Sequence, residues 1–146
     1  MNISPKKLVI RRLLKHDRAQ VFSALTDPAK MAKWFYGMET GQAKVTVDLR
    51  PGGSFAIEMF NEKGEEECKL HGIYLEIVTP ERVVFTWTSQ GSVKDTKVVI
   101  ELFERDGGTE LVLTHELPPD MIESHRQGWT NCLLHLEALL SSGTKG

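Results

Sequence analysis

The sequence predicts an α+β fold in which a curved antiparallel sheet wraps around one long C-terminal helix. Three observations predict it. Apolar and polar residues alternate on both sides of a turn at residues 48–53, and further strand-like segments separated by turn signals continue to residue 116. After residue 118 the apolar residues recur at steps of three and four. A period of two is typical of strands and a period near 3.6 is typical of a helix, so the helix must cover the dry face of the sheet.

Two short helices are predicted between the first strand and the rest of the sheet. Residues 7–15 are rich in Leu, Val and Ile, which is typical of a strand. Asp17 offers an N-cap for a helix over residues 17–25. Asp27 can cap again, and Pro28 suits the first turn of a second short helix.

A hairpin follows a long polar loop over residues 36–43. Pro51 presets φ for the turn at residues 48–53, and we expect Gly52 and Gly53 to supply positive φ. The two flanking strands each have one dry face that could form part of a cavity wall. The dry-face residues are Val45, Val47, Leu49, Phe55, Ile57 and Met59.

The rest of the chain is predicted to be a β-meander followed by a helix, which gives a sheet of about six strands. Strands are expected over residues 66–78, 82–88, 95–104 and 109–116, with a tight Asp-Gly turn before the last one. The helix should end near Gly143. Its apolar face comprises Met121, Ile122, His125, Trp129, Cys132, Leu133, Leu136, Leu139 and Leu140.

Composition narrows the function classes. A chain of 146 residues fits one domain, which we assign to residues 1–146. A net charge of −2 with scattered basic residues favours neither nucleic acid nor an anionic membrane as partner. Cys68 and Cys132 lack CxxC spacing, and neither a leader nor a membrane-length apolar run is visible. We therefore expect free thiols and a cytoplasmic protein.

Metal and cofactor motifs are weak. Gly-rich segments precede strands, whereas phosphate-binding loops precede helices, so we expect no nucleotide cofactor. Cys68 and His71 are three apart on a strand and should point to opposite faces, which disfavours a shared metal ion. His125 and Cys132 share a helix face. A mixed metal site with His115 is the open alternative, and a hydrogen-bonded polar lining is the favoured interpretation.

Three residues are acid or base candidates: Glu76, His115 and Glu116. His115 has the parity of Leu111 and Leu113 and should face the apolar side, where a hydrogen-bonded core histidine is the favoured interpretation over a catalytic one. The facing of Glu76 stays open, because a bulge in the long strand would reverse it.

A set of motifs in a fixed order carries a family resemblance. These motifs are Arg18 with Val21-Phe22, Thr26-Asp27-Pro28 with Trp34, Asp48 through Gly53, Gly72 through Ile77, Pro80-Glu81-Arg82 with Phe85-Thr86-Trp87, Gly108-Thr109 to Thr114-His115, and Gly128-Trp129. The chain resembles the START or Bet v 1-like (SRPBCC) superfamily, in the branch of homologues of the activator of the heat-shock protein 90 ATPase. The resemblance implies a helix-grip fold with a cavity between sheet and helix. Family members often have Trp-Trp-Gly-Pro where this chain has Trp34-Phe35-Tyr36-Gly37, near the expected cavity mouth.

The aromatic residues fall on the elements that surround the cavity in the resembled fold. The candidate cavity lining is Trp34, Phe35, Val47, Phe55, Ile57, Met59, Tyr74, Phe85, Trp87, His115, Trp129, Cys132 and Leu133. The leading hypothesis is a non-enzymatic protein that binds a small hydrophobic or aromatic molecule, oriented by His115, Tyr74 or Glu76. Two alternatives stay open. One is a co-chaperone or stress-response module, which the family name suggests, and the other is a hydrolase or cyclase that uses His115 and a carboxylate.

Overall fold

The computed structural model describes residues 6–35, 42–61, 63–89 and 93–142. Along the chain the elements are β1 (Lys6–Leu14), α1 (Arg18–Thr26), α2 (Pro28–Trp34), β2 (Gln42–Val47), β3 (Ser54–Phe60), β4 (Glu66–Val78), β5 (Arg82–Ser89), β6 (Thr96–Arg105), β7 (Gly108–Leu117), a 3-10 turn (Pro119–Met121) and α3 (Ile122–Ser142). The predicted fold class is confirmed, with seven strands in place of about six. Most of the predicted loop over 36–43 and most of the turn after Ser89 lie outside the described residues, as does Gly143.

The sheet is antiparallel throughout, with strand order β1-β7-β6-β5-β4-β3-β2. Strands β2 to β7 follow one another as neighbours, while β1 pairs with β7, so that Lys6 lies opposite Leu117 and Leu14 opposite Thr109. α3 packs along the inner face and is tied to β1 by an ion pair between Arg12 and Glu137. None of the helices within the described ranges has the length and apolarity needed to cross a bilayer.

The two short helices begin where the sequence predicts. The Asp17 side chain accepts from the Gln20 backbone N–H at 2.8 Å, and the Gln20 side chain accepts from the Asp17 N–H in return. Asp27 then caps α2 by accepting from the N–H groups of Ala29 and Lys30. α2 ends at Trp34, and Phe35 follows as its C-cap with φ of −90° and ψ of 74°, outside helical geometry. Phe35 is held by the contacts of its ring and by one hydrogen bond from its backbone N–H to the Met31 carbonyl.

The hairpin turn corrects two expectations. β2 ends at Val47, so Leu49 lies in the turn with 42% of its surface exposed and forms no part of a cavity wall. Only Gly52 has positive φ, at +86°. Gly53 is required for another reason, since a Cβ there would lie 2.1 Å from the Asp48 carbonyl oxygen. The turn docks on β4 through two backbone hydrogen bonds with Tyr74, of 2.8 and 2.9 Å.

A bulge in β4 settles the facing of Glu76. Tyr74 pairs with Phe85, whereas Glu76 pairs with Val84, so the register shifts by one residue between them. Tyr74 points inward and is buried, while Glu76 is exposed and its carboxylate lies 3.0 Å from Nε of Arg82. Glu76 therefore cannot orient a ligand on the inner face, which corrects that part of the hypothesis.

Candidate functional site

Among the described residues, two spaces lie between the inner face of the sheet and the helices, and the first is a small cavity of about 20 Å³. Its wall is apolar and combines residues from α1, α2, β3 to β6 and α3. The lining residues are Leu25, Met31, Trp34, Phe35, Phe55, Ile57, Tyr74, Val83, Phe85, Trp87, Ile100 and Trp129. Because one water molecule needs roughly 10–15 Å³ on this measure, the cavity has about the size of a water site.

Three rings from adjacent strands fill the interior beside this cavity. Phe55 packs edge-on against Phe85 with ring centroids 5.3 Å apart, and Tyr74 lies 5.5 Å from Phe55. Gly72 makes room for this packing, because a Cβ there would lie 2.7 Å from the Phe55 ring and 1.8 Å from the Thr86 carbonyl oxygen. Burial raises the pKa of Tyr74 to about 12, so its phenol stays protonated.

The second space is an open groove of about 300 Å³ between the first half of α3 and the ends of β3 and β5. Its floor is aromatic, and two hydroxyls, an imidazole and a thiol also line it. The lining residues are Phe35, Met59, Trp87, Ser89, Ser124, His125, Gly128, Trp129 and Cys132. An apolar concavity with a few polar groups is the usual composition of a small-molecule site.

Three rings separate the groove from the interior cavity, because Phe35, Trp87 and Trp129 line both spaces. The Trp87 centroid lies 4.9 Å from that of Trp129 and 5.7 Å from that of Phe35. Phe35 meets Trp129 edge-on at 5.6 Å. We call these three residues the dividing rings. Among the described residues, they are the only ones that line both spaces.

His115 is the polar centre behind the groove floor, with 0% of its surface exposed. Trp129 Nε1–H donates to its Nδ1 at 3.1 Å, and its Nε2 lies 2.8 Å from the Thr96 hydroxyl. That hydroxyl donates to the Trp87 carbonyl at 2.9 Å, so its oxygen is left to accept from Nε2–H. His115 is therefore the neutral Nε2–H tautomer with both nitrogens engaged.

The charge state of His115 follows from the same surroundings. Burial, with a smaller contribution from His125, lowers the pKa of His115 to about 3. The two imidazole rings meet edge-on with centroids 5.4 Å apart. His125 Nδ1 lies 2.9 Å from the Met121 carbonyl oxygen, to which it donates, and this orients its ring in the groove wall.

Trp87 differs from the other two tryptophans. Trp34 Nε1–H donates to the Ala24 carbonyl at 2.7 Å, and Trp129 donates to His115. Trp87 is only 6% exposed, and its Nε1–H finds no acceptor among the residues that the structure describes. Buried donors are paired in the great majority of cases, so an unpaired indole beside a groove is a notable departure.

Comparison with known proteins places the chain. The sequence matches the family model for Activator of Hsp90 ATPase homolog 1-like protein over residues 15–141. The chain belongs to this family. The branch to which the motifs pointed is thereby confirmed. No curated protein matches the chain.

Solved structures share the fold of this chain. Protein CV1439 from Chromobacterium violaceum is 31% identical with a TM-score of 0.82, and the match covers 92% of this chain and 96% of that one. Protein NE0264 from Nitrosomonas europaea is 27% identical with a TM-score of 0.79, over 93% and 94%. An AHSA1-like protein from Aeromonas hydrophila, whose structure was solved in solution, is 20% identical with a TM-score of 0.86, over 95% and 94%.

Most of the residues that the sequence suggests for a cavity lining border one of the two spaces in this family member. Trp34, Phe55, Ile57, Tyr74 and Phe85 line the cavity, Met59 and Cys132 line the groove, and the dividing rings line both. Val47, His115 and Leu133 border neither space. Val47 is half-buried beside the core, and Leu133 is packed within it.

The site also includes residues that the sequence reasoning did not single out. Leu25, Met31, Val83 and Ile100 complete the cavity wall, and Ser89, Ser124 and Gly128 belong to the groove. His125 appeared in the sequence only as a helix-face residue and a weak metal candidate. The helical spacing that places His125 on the same face as Trp129 and Cys132 also places Gly128 near them. This spacing is the sequence signal from which the groove residues of α3 could have been predicted.

The polar candidates separate in this family member. Cys68 is half-buried with its sulfur 3.9 Å from the Ser89 hydroxyl, while His71 is exposed. Glu116 alternates with His115 along β7 and therefore lies on the outer face, opposite Lys7. Within the described ranges, no group of three or more His, Cys, Asp or Glu residues is arranged to hold a metal ion.

Proposed function

We propose that this protein binds a small, uncharged, hydrophobic molecule with an aromatic ring, and that the binding site is the groove along α3. The observation that carries the proposal is the 300 Å³ groove with its floor of Trp87, Trp129 and Phe35. Small-molecule sites begin at roughly 300 Å³, whereas the interior cavity has room for about one water molecule. We therefore propose the groove, and not the enclosed cavity, as the binding site.

The groove chemistry supports an uncharged ligand. Among the described residues, nine line the groove, and none of these is Lys, Arg, Asp or Glu. Burial of aromatic surface against the indole rings would supply the binding free energy, at about 25 cal/mol per Å² before association costs. We treat residues 1–146 as one binding domain, and a cytoplasmic location is supported by the free thiols of Cys68 and Cys132.

Gly128 provides a direct test, because it lines the groove and a Cβ built on it meets no atom within 4 Å. Gly128→Phe should place a ring in the groove without disturbing the core, while Gly128→Ala should leave the groove open. We expect 2-acetylnaphthalene, titrated by tryptophan fluorescence, to bind the wild type and Gly128→Ala alike and to bind Gly128→Phe at least tenfold more weakly. Equal binding to all three proteins, or none to any, would count against the groove.

The contacts of His115 argue against the hydrolase or cyclase alternative, which required this residue as an acid or base. Both nitrogens of His115 are engaged, and its pKa of about 3 makes it a poor base at neutral pH. A reaction in this groove would have to use other groups.

A second candidate function is that of a co-chaperone, and the family description favours it. The outer face of the sheet offers a surface for a protein partner, since exposed Leu13 and Phe103 both lie opposite Glu110. If this function is correct, the protein should stimulate the ATPase of a heat-shock protein 90, and Leu13→Ser with Phe103→Ser should reduce the stimulation. An unchanged ATPase rate with the wild type would argue against it.

A further inference from the structure

We propose that the ligand carries an uncharged acceptor oxygen, such as a ketone carbonyl, which accepts a hydrogen bond from Trp87 Nε1–H after the Phe35 ring has moved aside. This inference rests on the proposed function and deepens it in two respects. It names the chemical group that the site recognises, and it assigns to Phe35 the role of the movable wall.

The unpaired indole is the first step of the argument. An N–H group without a protein partner is costly to bury, so a ligand acceptor that pairs with it gains more than an acceptor that merely replaces water. The other two tryptophans of the chain have carbonyl or imidazole acceptors at 2.7 and 3.1 Å, which shows that this fold satisfies indole donors where it can. Trp87 is the exception, and it lies at the groove floor.

The rings around Trp87 determine which of them can move. His115 is 5.4 Å from Trp87 and Trp129 is 4.9 Å from it, and these two are joined by their own hydrogen bond. Trp129 also lies within α3, where the helix fixes its backbone. Displacement of either would break a buried polar contact.

Among the described residues, Phe35 is restrained only by its ring contacts and by the backbone hydrogen bond to Met31. Its side chain offers only apolar contacts, and its backbone lies one residue beyond the end of α2 in non-helical geometry. It borders both spaces, so movement of its ring would join the 20 Å³ cavity to the 300 Å³ groove. Phe35 is therefore the member of the dividing rings that can yield at least cost, and its movement would bring a ligand ring within reach of Trp87.

The test uses two probes of the same shape. 2-Acetylnaphthalene carries a carbonyl oxygen, and 2-isopropenylnaphthalene has a CH₂ group in its place. We expect the wild type to bind the ketone about three- to tenfold more tightly than the alkene, which is the usual range for one hydrogen bond. In Trp87→Phe the preference for the ketone should disappear, because the indole donor that distinguishes the two probes is absent.

A measurement on the wild type alone makes the test independent of the folding of the variant. The chain has three tryptophans and hence three indole ¹⁵N–¹H resonances. The ketone should move the Trp87 indole resonance downfield, as expected for a new hydrogen bond, and the alkene should not. Trp34 serves as the internal control, because its N–H already donates to Ala24.

The role of Phe35 has its own variant. Phe35→Ala should raise the affinity for both probes, because the ring no longer has to be displaced, while the preference for the ketone persists. Weaker binding of both probes to Phe35→Ala would show that the ring is a contact surface and would overturn its role as the movable wall.

The outcomes separate this inference from the proposed function. Equal affinity of the wild type for ketone and alkene, or a Trp87 indole resonance that the ketone leaves in place, would overturn the inference while the proposed function stands. Failure of both probes to bind would overturn the proposed function, and the inference with it.

Discussion

The same sheet and helix enclose two spaces that differ in how completely they are filled. In the interior half, neighbouring strands contribute Phe55, Tyr74 and Phe85, and the rings leave about 20 Å³. In the groove half, the small residues Gly128 and Ser124 of α3 line the space, and about 300 Å³ stays open. Small residues on the helix and large residues on the strands thus decide where the fold leaves room. The comparison supports the proposal that the groove, and not the filled interior half, binds the ligand.

The two halves also differ in how they treat polar groups. Behind the groove floor, His115, Thr96 and Trp129 form a continuous hydrogen-bonded chain that ends at the Trp87 carbonyl. The indole nitrogen of the same Trp87 is left without an acceptor among the described residues. The protein therefore satisfies the polar groups that hold the floor in place and leaves one donor unused beside the open space.

The largest expected effect comes from filling the interior half. Gly72→Ala puts a Cβ 1.8 Å from the Thr86 carbonyl oxygen and 2.7 Å from the Phe55 ring, so both a backbone and a packed ring must shift. We expect the free energy of unfolding, measured by urea denaturation, to fall by about 3 kcal/mol.

Gly128→Ala is the matched control for this glycine in the groove half. Its Cβ meets nothing, and alanine is the better helix former, so stability should rise by about 0.5–1 kcal/mol. Equal effects of the two substitutions would contradict the distinction between a filled half and an open one.

The next prediction concerns the pH dependence of stability that arises from His115 behind the groove floor. The pKa of His115 is about 3 in the folded protein and about 6.5 when unfolded, so the unfolded state binds the proton more tightly. The contribution of neutral His115 to the free energy of unfolding is fully present above pH 6.5 and is lost as pH falls from 6.5 toward 3. Each pH unit in this window should cost about 1.4 kcal/mol.

The check compares wild type with His115→Gln by urea denaturation at pH 7 and pH 4.5. The difference in stability between the two pH values should be smaller in the variant by about 2 to 3 kcal/mol. The ring resonances of wild-type His115 should also stay those of the Nε2–H tautomer down to pH 4.5. A histidine that titrates near pH 6 would refute the buried, neutral assignment.

The smallest effect is expected on the outer face. Glu76→Gln removes one ion-pair partner of Arg82, which keeps Glu101 at 2.7 Å. Exposed pairs contribute little, so stability should change by less than about 0.5 kcal/mol. The affinity for 2-acetylnaphthalene should be unchanged. A marked loss of binding would mean that Glu76 reaches the site, contrary to its position beyond the bulge.

The sequence was sufficient for the fold because its local patterns agree with one another. Alternation around residues 48–53, the caps at Asp17 and Asp27 and the helical spacing after Pro118 each predict an element that the structure contains. The pairing of β1 with β7 was beyond these patterns, since it joins the first and last strands of the chain across more than ninety residues. Periodicity describes what lies along the chain and carries no record of such distant partners.

The candidate site was harder to predict from the sequence than the fold, because it depends on packing between elements. Strand parity identified the inward side of His115 correctly, but a single extra residue in β4 separates Tyr74 from Glu76, and parity alone gave no position for it. Large aromatic residues suggested a cavity, yet the same rings fill most of it. Whether a ring lines a space or closes it depends on packing between elements, for which Gly72 and Gly128 were the relevant residues.

The central claim is that a ligand lies in the groove and leaves the packing of Phe55, Tyr74 and Phe85 in the interior half intact. Methionine methyl labels test it directly, because Met59 lines the groove and Met31 lines the interior cavity. With bound 2-acetylnaphthalene we expect intermolecular nuclear Overhauser effects to the Met59 methyl group and to the Trp129 ring. Contacts to Met31 without Met59, or contacts to the outer-face residues Leu13 and Phe103, would contradict the account.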